Sequence, residues 1–245
     1  MYPSVKNHFI AFNEPIEKRV EYMYLDIKGL VTIGIGNLID VENAGDKKNL
    51  EKILKELVTL PFVYKKGQPD AGKRATKADI EGDWKIVKGS QELAKLKDSY
   101  LLFANITDLK LKNAAIDALV LKKLNEMETE LKMDPAFQGF EQWPADGQLG
   151  LLSMAWALGT PKLKAHWPHL KAACKKQDFD AVLKRCEINT VGNPGVAKRN
   201  TENRHLFRNA AAVFANRGKN PAENLNQRIT LYYPNMLMKK ITIRG

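Results

Sequence analysis

A single segment near the N-terminus, residues 28–38, departs from the helical patterning of the rest of the chain. Lys28-Gly29 is a turn signal, and the β-branched run Leu30-Val31-Thr32-Ile33 that follows it has the pattern of a short strand. Gly34 and Gly36 then predict a tight bend or a close approach of the backbone to a neighbouring group. One hairpin in an otherwise helical sequence predicts an α+β fold that is mainly α.

Apolar residues recur at helical spacing along most of the remaining sequence. A first helix begins at Pro3-Ser4 and ends or kinks near Pro15, which brings Glu17 to a helix boundary, and the spacing of Val20, Met23 and Tyr24 continues it briefly. Further helices are predicted at 49–60, 76–89, 91–97, after 108, at 148–158, as a hairpin over 163–174 and 179–186, and from 196 to 216. Residues 148–158 are apolar on nearly every side, which is typical of a buried central helix.

Other segments carry weaker signals. Residues 64–74 are rich in Lys, Gly and Pro and predict a mobile basic loop, either a solvated connection or a flap that meets an anionic glycan. A break is predicted at 218–221, and residues 229–233 have the composition of a late strand.

Length and composition narrow the function classes. A chain of 245 residues with 44% hydrophobic and 27% charged residues can build one or two globular domains with a substantial core. No apolar run approaches the roughly 18 residues that span a bilayer, and the N-terminus lacks the apolar core of a signal peptide. The net charge of +11 favours any polyanion, whether nucleic acid, anionic lipid or wall polymer. Motifs for specific nucleic-acid recognition are absent from the sequence.

The cysteines and histidines suggest neither a disulfide framework nor a metal site. Cys174 and Cys186 are too few for a disulfide scaffold, and although they can face each other across a helical hairpin, we expect reduced thiols. The four histidines lack metal-ligand spacing. His166 and His169 flank a Trp-Pro pair and are predicted to pack in a loop.

Two carboxylates flank the predicted hairpin. Glu17 lies at a helix boundary and Asp26 precedes the turn. Glycoside hydrolysis needs such a pair, because one protonated carboxyl gives the leaving oxygen its proton and one ionised carboxylate activates water or attacks the sugar. Ile16 and Val20 beside Glu17 favour its neutral form, whereas Asp26 in a polar turn should stay charged. A single acidic residue is usually a solvated surface group, so the hypothesis depends on the pair.

The spacing of Glu17, Asp26 and Thr32, followed directly by Ile-Gly-Ile-Gly, resembles the catalytic signature of phage-type lysozymes, the endolysin muramidases. The resemblance implies that Glu17 is the general acid. It also implies that Asp26 and Thr32 position and activate the water that attacks the anomeric carbon with inversion. The chain departs from the family at two positions, because members commonly have Gly after the Glu and His after Gly-x-Gly, where this chain has Lys18 and Asn37.

Two further segments resemble the family more weakly. Residues 148–159 are similar to the central helix of the lysozyme large lobe, which implies that Trp156 lines the cleft, where it either stacks on a sugar ring or packs in the core. Trp143 is a second candidate, and Asn37, Trp156 and Trp143 are the predicted substrate-binding residues. Residues 193–207 resemble a family segment that places an Arg near the catalytic Glu, and Arg199 or Lys198 can fill that role.

The resemblance implies a lysozyme-like, two-lobed fold. The catalytic domain would cover residues 1–220, with a small hairpin lobe at about 14–60 and a larger helical lobe at about 110–216, and residues 221–245 would form a tail. The implied activity is hydrolysis of the β-1,4 bond between N-acetylmuramic acid and N-acetylglucosamine in peptidoglycan, by a monomer without metal or cofactor. A chitinase or chitosanase, a non-catalytic wall-binding module of the same fold, and a nucleic-acid-binding protein remain alternatives.

The implied partners are peptidoglycan glycan strands, with an immunity or delivery protein as a further candidate. Because a secretory signal is not apparent in the sequence, we expect synthesis in the bacterial cytoplasm. Action in the periplasm or on the wall would then require a holin, a secretion machine, or excision of this domain from a longer chain.

Overall fold

The computed structural model describes residues 1–40, 47–191, 193, 195–216 and 221–237. The α-helices are α1 Pro3–Glu17, α2 Lys47–Leu57, α3 Lys77–Gly89, α4 Gln91–Ala94, α5 Asn113–Lys132, α6 Ala145–Leu158, α7 Thr160–His166, α8 Pro168–Lys175, α9 Phe179–Leu183, α10 Val196–Ala215 and α11 Pro221–Ile229. Short 3₁₀ helices cover Ser99–Asn105 and Phe140–Gln142, and the strands are β1 Val20–Leu25, β2 Val31–Gly34, β3 Asn37–Leu38, β4 Val63–Tyr64 and β5 Leu109–Lys110. Helices make up 60% of the structure and strands 8%, which confirms an α+β fold that is mainly α.

The chain forms two compact units. The hairpin unit is Glu17–Lys123, and the helical unit combines Met1–Ile16 with the chain from Leu124 onward. Glu17, Asp26 and Thr32 all belong to the hairpin unit. Residues 218–220 of the predicted break at 218–221 and the last eight residues of the predicted tail lie outside the described residues.

Helix α1 ends at Glu17, as the sequence predicted. Lys18 adopts the left-handed conformation with φ 63°, which an α-helix of L-residues does not continue. The prediction that Val20, Met23 and Tyr24 continue the helix is wrong, because these residues belong to β1 and Tyr24 pairs with Thr32 on β2. Their bulky side chains are buried on the sheet, and β-branched and aromatic residues suit a strand as well as they fit a helical spacing.

The predicted hairpin is confirmed as part of an antiparallel sheet in the order β1-β2-β3. Gly34 and Gly36 both have positive φ, 69° and 70°, and a two-residue turn between β2 and β3 brings Asn37 opposite Ile33. Glycine enters this conformation without the steric penalty of a Cβ, so the predicted tight bend is present. A second sheet pairs β4 with β5, and each strand is too short to leave a signal in the sequence.

Helix α3 supports this sheet from the side. It begins with a capping box of Thr76 and Asp79, close to the predicted helix start at 76. Near its end, the Lys88 ammonium donates to Asp40 Oδ2 at 2.6 Å, and the same buried carboxylate accepts from Val31 N at 3.0 Å. The salt bridge therefore fixes the start of β2, next to the proposed catalytic residues.

The predicted mobile basic loop is more ordered than its composition indicates. Tyr64 N donates to Lys73 O and Gly72 N donates to Tyr64 O, which closes the loop on itself. The Lys65 ammonium donates to Ala104 O, Thr107 O and Thr107 Oγ1 at 2.6–2.8 Å. These carbonyl and hydroxyl partners direct Lys65 toward the protein and not toward a ligand.

Helix α6 is the buried centre of the helical unit, as its apolar composition predicted. Every residue from Ala145 to Ala155 is buried. Helix α10 packs on it so closely that a Cβ atom on Gly150 would lie 2.8 Å from the Phe207 ring. The helix begins three residues before the predicted start at 148, because the buried polar residues Asp146 and Gln148 have hydrogen-bond partners inside the unit.

The predicted helical hairpin over residues 163–186 contains an additional break. Trp167, with φ −125° and ψ 56°, separates α7 from α8, since a proline at 168 disfavours the helical conformation of the residue before it. Cys174 and Cys186 are free and buried, as predicted. Burial raises the pKa of both thiols, to about 11 for Cys186.

The C-terminal segment does not form the predicted strand at 229–233. Helix α11 extends to Ile229, and the chain then runs as coil. Tyr232 N and Tyr233 N donate to the Asp146 carboxylate at 2.9 and 3.0 Å. Backbone donors that a strand would pair with a neighbouring strand are bound here by a buried side chain.

Candidate active site

The Glu17 carboxylate lies directly against the turn between β2 and β3. A Cβ atom built on Gly36 would be 2.9 Å from Glu17 Oε2 and 3.2 Å from its Cδ. Two features therefore favour glycine at position 36: the positive φ of the turn, and the space that the Glu17 carboxylate occupies beside it. This contact explains in physical terms why a Gly-x-Gly segment follows the strand.

Asp26 lies at the start of the turn between β1 and β2 and is half-buried. Its Oδ1 accepts hydrogen bonds from Lys28 N at 2.8 Å and Leu30 N at 3.0 Å, so the carboxylate is fixed by the backbone of the turn. Both bonds involve Oδ1, and Oδ2 is the oxygen that the turn does not use.

Tyr24 is a buried residue of β1 that pairs with Thr32 on β2. Burial raises the pKa of its phenol, and the negative charges of Glu17 and Asp26 raise it further. Its ring lies edge-on to Tyr100, with the centroids 6.4 Å apart. Sequence reasoning did not select Tyr24 as a site residue.

Thr32 is held beside Tyr24 by the pairing of β1 and β2. It is 4% exposed, and its hydroxyl donates to Leu30 O at 3.3 Å. A hydroxyl that donates one hydrogen bond keeps lone pairs for a second partner, such as a water molecule. Glu17, Asp26 and Thr32 thus lie in one unit, and their roles in catalysis stay a prediction.

Asn37 shapes the turn against which Glu17 packs. Its Oδ1 accepts from Ile35 N at 3.2 Å, and the residue is 4% exposed. Its Nδ2 is buried and has no hydrogen-bond partner among the described residues. Such burial leaves little surface for the sugar contact that the sequence predicted, and the main role visible here is to hold the turn.

The predicted aromatic contacts belong to the helical unit. Trp143 is 0% exposed and packs against Phe137, Phe140 and Phe179, which contradicts its predicted role in substrate binding because no face of the ring reaches solvent. Trp156 is half-buried and lies edge-on to Phe9 at 5.2 Å. Its ring therefore packs on α1 and keeps part of its surface exposed.

The two basic candidates on α10 also lie in the helical unit. The Arg199 guanidinium is buried and donates to Ser153 O, to Ser153 Oγ and to Asn13 Oδ1, at 2.9–3.2 Å. Lys198 Nζ donates to Pro15 O at 2.9 Å. Arg199 thus links α10 to α6 and α1, and an interaction of either residue with the proposed acid stays a prediction.

Lys18 departs from the family pattern, and its surroundings show what the lysine contacts. The ammonium donates to Tyr100 OH at 2.8 Å and lies 4.3 Å from the centre of that ring. Asp98 Oδ1 is 3.8 Å away. A cation and a tyrosine therefore border the residues around Glu17.

No protein-family model matches this chain, and no curated protein matches it. Within the described ranges, no group of three or more His, Cys, Asp or Glu side chains is arranged to hold a metal ion. No helix of the described chain is long and apolar enough to cross a membrane. The geometry of the site is therefore the basis for assigning its chemistry.

Proposed function

We propose that the chain is a glycoside hydrolase of the lysozyme type, which cleaves the β-1,4 bond between N-acetylmuramic acid and N-acetylglucosamine in peptidoglycan. The observation that supports this most is the pair of carboxylates in the hairpin unit. Glu17 packs on Gly36 in the turn between β2 and β3, and Asp26 is fixed by the backbone of the turn between β1 and β2. Two carboxyl groups in different environments are what acid and base roles at one glycosidic bond require.

The proposed reaction divides the work between the two groups. Glu17 gives its proton to the leaving glycosidic oxygen. Asp26, with Oδ1 bound to backbone N–H groups, uses Oδ2 to accept a proton from water, and Thr32 orients that water toward the anomeric carbon. Attack by water on the face opposite the leaving group inverts the configuration. No metal or cofactor enters the proposed reaction.

A lysozyme-like fold is part of the proposal. Its support is the residue spacing, the hairpin that carries it, and the buried helix α6, which resembles the central helix of the family. The half-exposed ring of Trp156 is retained as a candidate for sugar stacking, and Trp143 is not.

Digestion of purified peptidoglycan, with mass analysis of the released fragments, tests the proposal. We expect disaccharide-peptides with N-acetylmuramic acid at the reducing end. Release of fragments cut at peptide or amide bonds would contradict it, as would the absence of soluble products. Cleavage of chitin or chitosan without cleavage of peptidoglycan would support the proposed glycosidase activity but show that the substrate is a different glycan.

A further inference from the structure

The residue directly after the proposed acid is held in an unfavourable conformation. Lys18 has φ 63°, and the Cβ of an L-residue makes this region costly, which is why glycine usually occupies it. Glycine is also the residue that the resembling family commonly has here. Strained residues persist where the surrounding structure requires them, and they cluster at functional sites.

The side chain of Lys18 is directed to a defined place. Its ammonium donates to Tyr100 OH at 2.8 Å, which is the largest reason that its pKa is raised and its charge retained. The side chain nevertheless remains 56% exposed. An ammonium has three donors, so a ligand can still bind to it.

A continuous set of contacts connects this ammonium to the proposed catalytic residues. Lys18 lies over the ring of Tyr100, and Tyr100 lies edge-on to Tyr24 at 6.4 Å. Tyr24 in turn pairs with Thr32 across β1 and β2, and Lys18 itself directly follows Glu17 in the chain. The cation therefore borders the proposed active site within the hairpin unit.

Asp98 adds a second observation to the same position. It also has a positive φ, 51°, and its Oδ1 lies 3.8 Å from the Lys18 ammonium. This distance is longer than a charge-assisted hydrogen bond of about 2.7–2.9 Å, so Asp98 orients the cation without saturating it.

We propose that Lys18, oriented by Tyr100, is a carboxylate-binding position that gives the enzyme selectivity for glycan strands bearing acidic substituents. The inference rests on the proposed glycosidase function and specifies its substrate. The lactyl ether of N-acetylmuramic acid carries a carboxylate or a peptide with carboxylates, whereas N-acetylglucosamine polymers are neutral. An exposed ammonium beside the acid distinguishes these two classes by charge.

A structural role is the competing explanation. Lys18 would then only hold the 3₁₀ helix Ser99–Asn105 against the segment that leads into β1, and its loss would affect every substrate equally. Recognition of a carboxylate predicts an effect that depends on the charge of the substrate.

The test compares soluble peptide-bearing glycan strands with the same strands after their carboxylates have been capped as methylamides. For the wild-type enzyme we expect a lower KM on the native strands. Lys18→Gly should raise that KM about threefold to fivefold at unchanged kcat, as for one exposed ion pair, and should leave the capped strands unaffected. Glycine also relieves the strain at position 18, so this variant is expected to fold.

Two further variants sharpen the comparison. Asp98→Asn removes the competing charge and keeps a residue that tolerates positive φ, so the KM on native strands should fall. Lys85→Gln removes an exposed lysine of α3 and should change neither KM, which excludes a general effect of net charge. Equal effects of Lys18→Gly on both strands, or equal wild-type KM values for both, would overturn the proposal.

Failure of the proposed function would be visible separately. If wild-type protein cleaves neither strand, the glycosidase assignment fails, and the same strands are then titrated to measure dissociation constants. A native-strand preference that disappears in Lys18→Gly would still support carboxylate binding. A dissociation constant unchanged by the substitution would overturn it.

Discussion

Two aspartates of this protein bind backbone N–H groups in contrasting ways. Asp26 accepts two such bonds, both on Oδ1, and is half-buried with Oδ2 outside the turn. Asp146 is 0% exposed and accepts from Tyr232 N, Tyr233 N and Asn209 Nδ2, so that both of its oxygens are used. The turn thus leaves one oxygen of Asp26 unused, whereas both oxygens of Asp146 hold the C-terminal segment and its neighbour on α10.

Glu17 is the proposed partner of Asp26 in catalysis, and its substitution should have the largest effect on activity. Glu17→Gln keeps the shape of the side chain but has no acidic proton to give the leaving oxygen. General acid catalysis contributes about 10²- to 10⁴-fold, so turnover of peptidoglycan should fall to about 1% or less. Thermal unfolding should change little.

Glu14→Gln is the matched variant, because Glu14 lies three residues earlier on α1. It should retain most activity. If Glu14→Gln loses activity and Glu17→Gln keeps it, the general acid is Glu14, one helical turn earlier. Normal lysis by both variants would refute the mechanism.

The space at Gly36 permits a second test of the site. Gly36→Ala places a Cβ where the Glu17 carboxylate lies and should displace it. A displacement of about 1 Å can cost about 10²-fold in rate, so kcat should fall by up to that factor. Gly72 has φ 81°, and a Cβ added there would meet nothing within 4 Å, so Gly72→Ala carries the same kind of backbone strain without the steric contact.

Both alanine variants should lose about 1–2 kcal/mol of stability, measured by denaturant titration, because each forces a Cβ into the left-handed region. Only Gly36→Ala should lose activity. Equal activity of the two variants would mean that the close contact with Glu17 has no catalytic importance.

Asp146→Ala should separate stability from catalysis in the opposite direction. The substitution removes the acceptor of the buried Asn209 amide and of the part-buried N–H groups of Tyr232 and Tyr233, and an unsatisfied buried group costs about 1–3 kcal/mol. We expect the free energy of unfolding to fall by about 3 kcal/mol, with activity per folded molecule retained.

Asp26→Ala should show the reverse pattern, because its turn bonds are less buried than those of Asp146 and water can replace the exposed one to Lys28 N, while the proposed base is lost. Similar losses of stability in Asp26→Ala and Asp146→Ala would contradict the proposed difference between the two carboxylates.

The sequence predicted the hairpin and the central helix because local patterns determine both. Turn residues, β-branched side chains and a continuously apolar helix act through short-range spacing. The strand β1 was predicted as helix, since the spacing of Val20, Met23 and Tyr24 is helical, and the left-handed conformation of Lys18 that ends α1 is not visible in the sequence. The contacts of Asp146 could not be predicted, because its partners lie more than 60 positions away in the chain.

Among the three proposed catalytic residues, Thr32 should show the smallest loss of activity on substitution. Thr32→Ala tests whether the third residue of the motif belongs to the site. Leu30 O accepts from the Thr32 hydroxyl and also from Asp26 N at 2.9 Å. Loss of the Thr32 hydroxyl therefore leaves no unpaired carbonyl, and the fold should survive. If the hydroxyl orients the attacking water, kcat should fall about tenfold while KM stays unchanged, the signature of an interaction made only in the transition state. Thr59→Ala, which removes an exposed hydroxyl bonded to Glu56 O, should leave both constants unchanged. Turnover by Thr32→Ala equal to wild type would remove Thr32 from the mechanism and leave the two carboxylates as the whole of the catalytic set.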